Sequence, residues 1–261
     1  MTQTAILPQW TANKIVGLFD HAILHPMFTD AEMLAQIEAL LPYPIASVCI
    51  KPYAVAMAVK ALEGTAIAVG TVIGFPHGSS LPAIKAAEAE QAFLDGASDV
   101  DMVVNVGKVM SGDWEFVRRD IGAVLAVARR HKGILKVIFE TDYYKDDEPK
   151  IMLCRICSEL GVDFVKTSTG FGFVKQADGT MGYKGATEHD IKLMRQHCPP
   201  GIGIKPSGGV RSLDDALKFI ALGATRLGTT STQLIHRQAL ERLAGSRDSA
   251  ATPPGESGNG Y

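Results

Sequence analysis

Two lysines at the ends of strand-like apolar runs are the strongest chemical signal in this sequence. Lys166 lies in VDFVKTSTG (162–170) and Lys205 in GIGIKPSGG (201–209). Burying an ammonium group costs several kcal/mol unless its charge is paired or lost. At about 6 Å and an effective dielectric of about 20, a second ammonium adds about 3 kcal/mol of repulsion. We therefore expect one of the two amines to be largely neutral near pH 7 and able to attack a carbonyl carbon.

Such an amine forms a Schiff base, which accepts the electrons of a carbon–carbon bond broken beside it. Our interpretation is that Lys205 keeps Lys166 neutral and Lys166 is the nucleophile, although spacing alone leaves the assignment open. Protons must also move on and off nitrogen and oxygen, and Asp101, near another strand end, is the candidate relay. Lys136 and Glu140 could hold the charges of the relay and position a substrate hydroxyl.

A folded scaffold must position these residues. The sequence contains eight strand patterns that alternate with eight helix patterns, and these predict the scaffold. The predicted strands are 15–20, 46–50, 67–73, 99–104, 134–140, 163–166, 202–206 and 225–228. The predicted helices are 29–41, 52–63, 80–95, 114–132, 147–160, 187–197, 212–222 and 231–243. This alternation predicts an α/β protein that folds as a single-domain (β/α)8 TIM barrel over residues 1–245. We expect residues 246–261 to form a flexible tail. A doubly wound open sheet is the alternative, but the turn after the first strand lacks the expected glycines.

Strand alternation predicts which side chains face the barrel interior. Successive side chains point to opposite faces, and the more apolar face must pack against the outer helices. The predicted inward set is Lys51, Asp99, Asp101, Lys136, Glu140, Lys166 and Lys205. A barrel interior is normally filled by Val, Ile and Leu, so this charged set indicates a site.

Glycine- and hydroxyl-rich stretches follow the last three predicted strands. They are KTSTG (166–170), KPSGGV (205–210) and GTTST (228–232). The ends of the seventh and eighth strands often bind phosphate in this fold, where backbone N–H groups approach the anion closely. We therefore expect a substrate that carries a phosphate group.

Composition and charge limit the other possibilities. The net charge of −2 gives no reason to expect nucleic-acid binding, and no apolar run approaches the ~20 residues that span a membrane. The N-terminus does not resemble a signal peptide. Four cysteines predict reduced thiols in a soluble cytoplasmic protein, with Cys154 and Cys157 packed in the core.

Eight motifs, in order along nearly the whole chain, resemble the deoxyribose-phosphate aldolase family. They are FDHAILHP, SVCIKP, TVIGFPHG, VDMVVNVG, LKVIFET, DFVKTSTGF, IKPSGGVRS and ATRLGTTS. The resemblance implies a class I aldolase, without metal or cofactor, that cleaves 2-deoxy-D-ribose 5-phosphate to acetaldehyde and D-glyceraldehyde 3-phosphate. Other candidates are a different phosphosugar aldolase, an isomerase using Asp101 and Glu140 as acid and base, and a non-catalytic phosphosugar-binding protein.

The resemblance also implies roles for particular residues. Lys166 matches the Schiff-base lysine, Lys205 the lysine that favours its neutral form, and Asp101 the proton relay. The phosphate-binding positions match Gly170, Gly208, Gly209, Gly228, Thr230 and Ser231. We expect the substrate also to contact Asp20, Cys49, Lys136 and Thr169. Family members are commonly homodimers, and several end in a tyrosine that assists proton transfer, a role that Tyr261 would take.

The sequence departs from the family pattern in two places. Ala22 and His25 replace a threonine and a lysine in the first motif. Residues 172–184 include an insertion of roughly ten residues in a loop at the active-site face of the barrel. We expect this insertion to form a lid, alter the substrate range or build an interface.

Overall fold

The protein, described here from a computed structural model that covers residues 10–175 and 178–250, is built around a ring of parallel strands. Ten strands occur in that part of the chain: β1 (Phe19–Ile23), β2 (Ser47–Ile50), β3 (Ala68–Ile73), β4 (Asp99–Val103), β5 (Ile134–Ile138), β6 (Phe164–Lys166), β7 (Val174–Lys175), β8 (Met181–Gly182), β9 (Gly203–Lys205) and β10 (Leu227–Thr229). Eight form one sheet in the order β10-β1-β2-β3-β4-β5-β6-β9, and a bridge between Ser207 and Gly228 joins its two ends. The predicted (β/α)8 TIM barrel is confirmed.

Helices surround this barrel and cover the outer faces of its strands. They are α1 (Ala12–Val16), α2 (Asp30–Leu40), α3 (Val55–Ala61), α4 (Pro82–Leu94), α5 (Val106–Met110), α6 (Trp114–Arg130), α7 (Glu148–Leu160), α8 (Glu188–His197), α9 (Leu213–Ala221) and α10 (Thr232–Ala250). The apolar strand face predicted to point outward is buried in the hydrophobic core, as at Val100, Val137 and Ile204. No helix among the described residues is both long and apolar enough to cross a membrane.

Capping side chains fix where two of these helices begin. Thr29 accepts a hydrogen bond from the Glu32 amide, and the Glu32 carboxylate accepts one from the Thr29 amide. Ser212 and Asp215 make the same reciprocal pair at α9. Each pair satisfies amide groups that have no partner inside the helix. The loops that precede these helices therefore end at fixed positions on the barrel rim.

The first predicted strand is wrong. Residues Ala12–Val16 form a helix, capped by Thr11, which accepts a hydrogen bond from the Lys14 amide at 3.1 Å. The strand begins at Phe19 because its pairing is with β2 and β10, where Asp20 lies opposite Ser47 and Gly228. The apolar run from Ile15 to Phe19 suits either element, and only these pairings decide between them. Asp20 consequently lies inside a barrel strand.

The last helix is longer than predicted. It continues to Ala250, beyond the predicted end at residue 243 and past the start of the predicted tail at residue 246. Residues 251–261, including Tyr261, lie outside the described residues. The division into a barrel domain and a flexible tail stays a prediction.

A buried ion pair between α4 and α6 supports the end of β4 from outside the barrel. Lys85 Nζ lies 2.5 Å from Asp120 Oδ2 and donates a hydrogen bond to the Val103 carbonyl oxygen at 2.8 Å. Burial is the largest influence on both groups, and it lowers the pKa of Lys85 and raises the pKa of Asp120. Each charge therefore depends on the other for its stability in this apolar layer.

We expect the Lys85→Met substitution to lower the free energy of unfolding by about 3–5 kcal/mol, because it leaves Asp120 buried without its partner. Urea denaturation at neutral pH measures this change. Lys108→Met is the matched control, since the pair of Lys108 with Asp113 is exposed and we expect its loss to cost less than about 1 kcal/mol. The double substitution Lys85→Met/Asp120→Leu should recover most of the loss, and a double variant as unstable as Lys85→Met would contradict this account.

Candidate active site

Three lysines and three aspartates meet inside the barrel. They project from five different strands: Asp20, Asp99, Asp101, Lys136, Lys166 and Lys205. Each is at most 3% exposed. The register places Lys166 beside Lys205 and Asp101 beside Lys136 on neighbouring strands. Strand alternation predicted that Asp99, Asp101, Lys136, Lys166 and Lys205 face inward, and the structure places them there. Asp20 also faces inward, because β1 begins later than predicted.

Asp101 joins the two lysines singled out from the sequence. Its Oδ2 atom accepts a hydrogen bond from Lys166 Nζ at 2.7 Å and one from Lys205 Nζ at 2.6 Å. Because both amino groups contact the same oxygen atom, the distance between them is at most the sum of these two hydrogen-bond lengths. Its other oxygen, Oδ1, lies 3.0 Å from Lys136 Nζ. One carboxylate thus reaches all three amines, a position from which it can pass a proton between a lysine and a substrate oxygen.

Lys205 is held as an ammonium ion by two carboxylates. Its Nζ lies 2.5 Å from Asp20 Oδ2 in addition to its contact with Asp101. Burial opposes protonation of Lys205, but Asp101 and Asp20 outweigh burial and hold its pKa above the ordinary lysine value. Burial likewise acts to raise the pKa of Asp20, but Lys136, Lys205 and Arg226 hold it well below its usual range. Lys205 is therefore a fixed positive charge beside Lys166.

Lys166 has fewer carboxylate contacts than Lys205 among the described residues. Within the described residues Lys166 forms one ion pair, with Asp101, whereas Lys205 forms two. Only a neutral amine is a nucleophile, so a lysine whose proton is held by carboxylates on two sides is poorly suited to that role. Because Asp20 and Asp101 hold the proton of Lys205, Lys166 is the remaining candidate nucleophile of the pair.

Lys136 occupies the space between three carboxylates. Its Nζ contacts Asp99 closely and lies 3.3 Å from Asp20 and 3.0 Å from Asp101. These three carboxylates are near enough to one another to hold a metal ion, but the amino group of Lys136 lies among them. Burial is the largest influence on Lys136 and lowers its pKa to about 7, although Asp20 acts in the opposite direction. Lys136 thus holds its proton less tightly than Lys205.

A cavity of about 410 Å³ opens above this charged cluster. Its lining comes from the ends of β1 and β10 and from the segments that follow β1, β6, β9 and β10, and it includes Thr169, Gly170, Gly208, Gly209, Gly228 and Thr230 of the predicted substrate and phosphate residues. The structure therefore brings together most of the positions that the sequence assigned to one pocket. Ser231 is not part of the lining, and its amide donates a hydrogen bond to Thr229 Oγ1 at 3.0 Å.

Gly228 separates the cavity from the charged cluster. A Cβ atom at this position would lie 2.6 Å from Ser207 Oγ and 3.5 Å from Lys205 Cε. Any larger residue would therefore fill the space between the cavity and the lysines. Gly208 and Gly209, at the rim, have φ angles of 80° and 88°, which residues with a side chain rarely adopt. This turn exposes backbone to the cavity.

A family model described as DeoC/LacD family aldolase matches residues 14–236 of the chain. The chain belongs to this family. It is 43% identical over 231 residues to the deoxyribose-phosphate aldolase of Rhodopirellula baltica, covering 88% of this chain and 91% of that protein. The corresponding enzyme of Streptococcus gordonii is 42% identical over 218 residues, 84% of this chain and 93% of that one.

The fold comparison agrees with this membership. The deoxyribose phosphate aldolase of Aeropyrum pernix, described as a tetramer, superposes with a TM-score of 0.80. The two sequences are 25% identical, and the match covers 92% of this chain and 97% of that one. As a member of an aldolase family, the chain is a lyase, which agrees with the paired lysines in the barrel.

Two predicted inward residues lie elsewhere than alternation placed them. Lys51 is partly exposed, and its Nζ donates a hydrogen bond to the Phe28 carbonyl oxygen at 2.5 Å. Glu140 is buried, but its φ of 59° turns its side chain toward Thr169, whose amide donates to both carboxylate oxygens at 3.2 Å. Both residues follow the ends of their strands, where the twofold alternation of side chains no longer applies. Glu140 therefore fixes the loop after β6 instead of joining the charged cluster.

The cysteines behave as packing residues. Cys49 is buried beside the charged cluster, and burial raises the pKa of its thiol to about 11, so it stays protonated at neutral pH. Cys154 and Cys157 are buried in α7 as part of the hydrophobic core, as predicted. Cys49 is thus a small neutral residue beside the charged cluster.

Arg211 and Tyr183 line the cavity, and the sequence analysis did not single out either of them as a site residue. Arg211 directly follows KPSGGV, and its position next to a predicted phosphate loop was a signal that could have identified it. Tyr183 lies in the insertion, where no periodic pattern or motif distinguishes it from its neighbours. Its placement depends on the tertiary structure alone.

Proposed function

We propose that this protein is a class I aldolase that reversibly cleaves 2-deoxy-D-ribose 5-phosphate to acetaldehyde and D-glyceraldehyde 3-phosphate through a Schiff base on Lys166. The observation that carries the proposal is the contact of two buried lysine amines with one carboxylate, that of Asp101. Lys205 has a second carboxylate partner in Asp20 and keeps its proton. The relatives named deoxyribose-phosphate aldolase support the choice of substrate.

The first half of the reaction forms the Schiff base. The neutral Lys166 amine attacks the aldehyde carbon C1 of the open-chain sugar, and the adduct loses water to give a protonated imine. Asp101 accepts the proton that leaves the nitrogen and donates one to the departing hydroxyl. The fixed charge of Lys205 favours the neutral form of Lys166 before attack. Because Asp101 contacts both lysines, it can carry out both proton transfers from one position.

The second half breaks the carbon–carbon bond. The Asp101 carboxylate accepts the proton of the C3 hydroxyl through a water molecule, the bond between C2 and C3 breaks, and its electron pair moves toward the imine nitrogen to form an enamine. D-Glyceraldehyde 3-phosphate leaves as the new aldehyde. The protonated Asp101 returns this proton to C2, and attack of water on the resulting imine then releases acetaldehyde and restores the lysine. The protonated imine is the electron sink, so the reaction calls for no metal or organic cofactor.

We expect the cavity to bind the phosphate group of the substrate and to lie beside its hydroxyl groups. We assign the phosphate group to the backbone around Gly170, Gly208, Gly209, Gly228 and Thr230, with the side chain of Ser231 beside them, and the sugar hydroxyls to the side of Asp20, Cys49, Lys136 and Thr169. Exposed N–H groups at glycine turns suit an anion, and Arg211 lines the same region of the cavity. Tyr261 lies outside the described residues, so its part in proton transfer at C2 stays a prediction.

The proposal also includes a cytoplasmic homodimer. The buried, unpaired thiols agree with a reducing compartment. Light scattering coupled to size-exclusion chromatography measures the assembly, and a monomer or a tetramer would contradict the dimer without bearing on the chemistry.

Trapping of the Schiff base tests the proposed function directly. Incubation with acetaldehyde and borohydride should add one ethyl group to the chain, located on Lys166 by peptide mass spectrometry, with irreversible loss of activity. The same incubation without borohydride should leave mass and activity unchanged. An isomerase or a non-catalytic binding protein forms no such adduct, so an unmodified chain would overturn the proposal. An ethyl group on Lys205 instead would reverse the roles of the two lysines.

A further inference from the structure

The insertion after β6 forms a small ribbon whose end reaches the cavity. Its strands β7 and β8 pair in antiparallel fashion, with Val174 opposite Gly182 and Lys175 opposite Met181. Tyr183 directly follows β8 and lines the cavity, although it is 36% exposed. The ribbon thus brings a phenol to a barrel mouth that is otherwise lined by loops after the barrel strands.

The ring of Tyr183 lies against the glycines assigned to the phosphate. A Cβ atom on Gly208 would lie 3.4 Å from Tyr183 Cε2, and one on Gly170 would lie 4.0 Å from the phenol oxygen. At the backbone end of the side chain, a Cβ atom on Gly172 would lie 3.3 Å from Tyr183 Cβ. The hydroxyl end of the side chain is therefore the part nearest Gly170.

The turn after β5 holds both ends of the ribbon. At its start, Phe173 donates an amide hydrogen bond to the Tyr143 hydroxyl at 3.2 Å. At its end, the carboxylate of Asp142 accepts hydrogen bonds from the amides of Lys184 at 2.7 Å and Gly185 at 3.0 Å. This turn directly follows β5, so these hydrogen bonds connect the backbone beside Tyr183 to the barrel.

A second contact fixes the ribbon to the phosphate loop itself. The Ala186 amide donates a hydrogen bond to the Gly208 carbonyl oxygen at 3.0 Å. A Cβ atom on Gly185 would lie 2.4 Å from that same oxygen, so the two backbones approach as closely as glycine permits. Tyr183 is thereby held against the residues that would contact the phosphate, a placement typical of a preorganised binding group.

We propose that Tyr183 closes the phosphate end of the cavity and donates a hydrogen bond from its hydroxyl to the phosphate of the bound sugar, making it a specificity residue for phosphorylated substrates. This inference rests on the proposed aldolase function. A phenol is a good donor to an anionic oxygen, and hydrogen bonds to charged acceptors are stronger than those between neutral groups. The ring also covers the anion on one side and excludes water from it. Tyr183 takes no part in the chemistry at C1.

The test compares a phosphorylated with an unphosphorylated sugar. For Tyr183→Phe we expect the KM for 2-deoxy-D-ribose 5-phosphate to rise about tenfold to 100-fold. Turnover of 2-deoxy-D-ribose should change by less than about twofold, because that sugar offers no phosphate to the hydroxyl. Phe173→Ala is the matched control, since Phe173 is on the same ribbon, is 65% exposed and does not line the cavity. We expect it to match the parent on both sugars.

Substitutions of Asp142 test whether the ribbon positions Tyr183. Asp142→Ala removes the acceptor for the Lys184 and Gly185 amides and should raise the KM for the phosphorylated sugar severalfold. Asp142→Asn keeps one acceptor oxygen and should recover most of the affinity. An equal loss on both sugars in Tyr183→Phe, or an unchanged KM for the phosphorylated sugar, would overturn the inference.

A binding measurement separates this inference from the proposed function. Calorimetry with glycerol 3-phosphate needs no Schiff base, and we expect Tyr183→Phe to weaken its binding by about tenfold or more. Failure of Lys166 trapping in the parent chain would overturn the aldolase proposal without affecting this result. Equal affinity of the parent and Tyr183→Phe for glycerol 3-phosphate would overturn the role of Tyr183 while leaving Lys166 trapping intact.

Discussion

Lys166→Arg abolishes turnover, lowering kcat/KM by about 10⁴-fold or more, and abolishes trapping with acetaldehyde and borohydride. Arginine keeps a positive charge that can pair with Asp101, so the barrel interior stays balanced. Its guanidinium group does not lose its proton in proteins and cannot form a Schiff base. Steady-state kinetics and intact-protein mass spectrometry measure the two effects on one preparation.

The matched control for this substitution is Lys60→Arg, at an exposed position on α3. It should leave turnover, trapping and the melting temperature as in the parent chain. Thermal unfolding of Lys166→Arg identifies any loss that comes from a damaged fold. Trapping at an undiminished rate in Lys166→Arg would move the covalent role to another residue, with Lys205 the first candidate.

Lys205→Leu lowers kcat near neutral pH by about 100-fold or more and moves the rising limb of the pH–rate profile to higher pH. The parent chain holds a positive charge beside Lys166, and that charge favours the neutral amine. Removal of Lys205 also leaves Asp101 Oδ2 with Lys166 as its lysine partner, which strengthens the ion pair between Lys166 and Asp101. Both changes favour the ammonium form of Lys166, so a higher pH is needed to generate the nucleophile.

The same substitution destabilises the protein by about 3–5 kcal/mol, because Asp20 and Asp101 each lose a buried partner. The folded state binds the proton of Lys205 more tightly than an unfolded lysine would. The stabilisation from Lys205 is therefore complete below the unfolded pKa of about 10.4 and is lost only as pH rises through the raised folded value. Urea denaturation between pH 7 and strongly alkaline pH follows this difference.

Lys85→Met separates the two effects of Lys205→Leu. Lys85 is also buried and paired with an aspartate, but it lies outside the barrel interior. We expect its loss to reduce stability without moving the pH–rate profile of the folded enzyme. A Lys205→Leu profile that coincides with that of Lys85→Met would mean that Lys205 stabilises the barrel and has no influence on the nucleophile.

The sequence by itself determined the barrel and the inward direction of its charges. Alternation of side chains along a strand is fixed by backbone geometry, so it placed Asp101, Lys136, Lys166 and Lys205 inside before any contact was known. The alternating strand and helix patterns likewise require parallel strands joined by outer helices. The glycine-rich stretches could be assigned to one pocket because the carboxyl ends of parallel strands meet at the same face of the barrel.

The alternation of side chains along a strand predicts their direction only within the strand and not beyond its ends. It misplaced Lys51 and Glu140, because each follows the last residue of its strand and takes its direction from loop hydrogen bonds. The start of β1 was also undetermined, since the apolar run from Ile15 to Phe19 suits a helix or a strand. Pairing with β2 and β10 decided it and brought Asp20 into the site.

The different carboxylate contacts of the two lysines were decided by tertiary structure alone. Lys166 and Lys205 have similar local sequences, but Lys205 meets Asp20 and Asp101 from two distant strands, and Lys166 meets only Asp101 among the described residues. The placement of Tyr183 has the same origin, because Asp142 and Gly208 fix its backbone from other loops. Local sequence sets backbone conformation and side-chain direction, whereas the charge state of a buried amine depends on groups that only the folded chain brings within hydrogen-bonding distance.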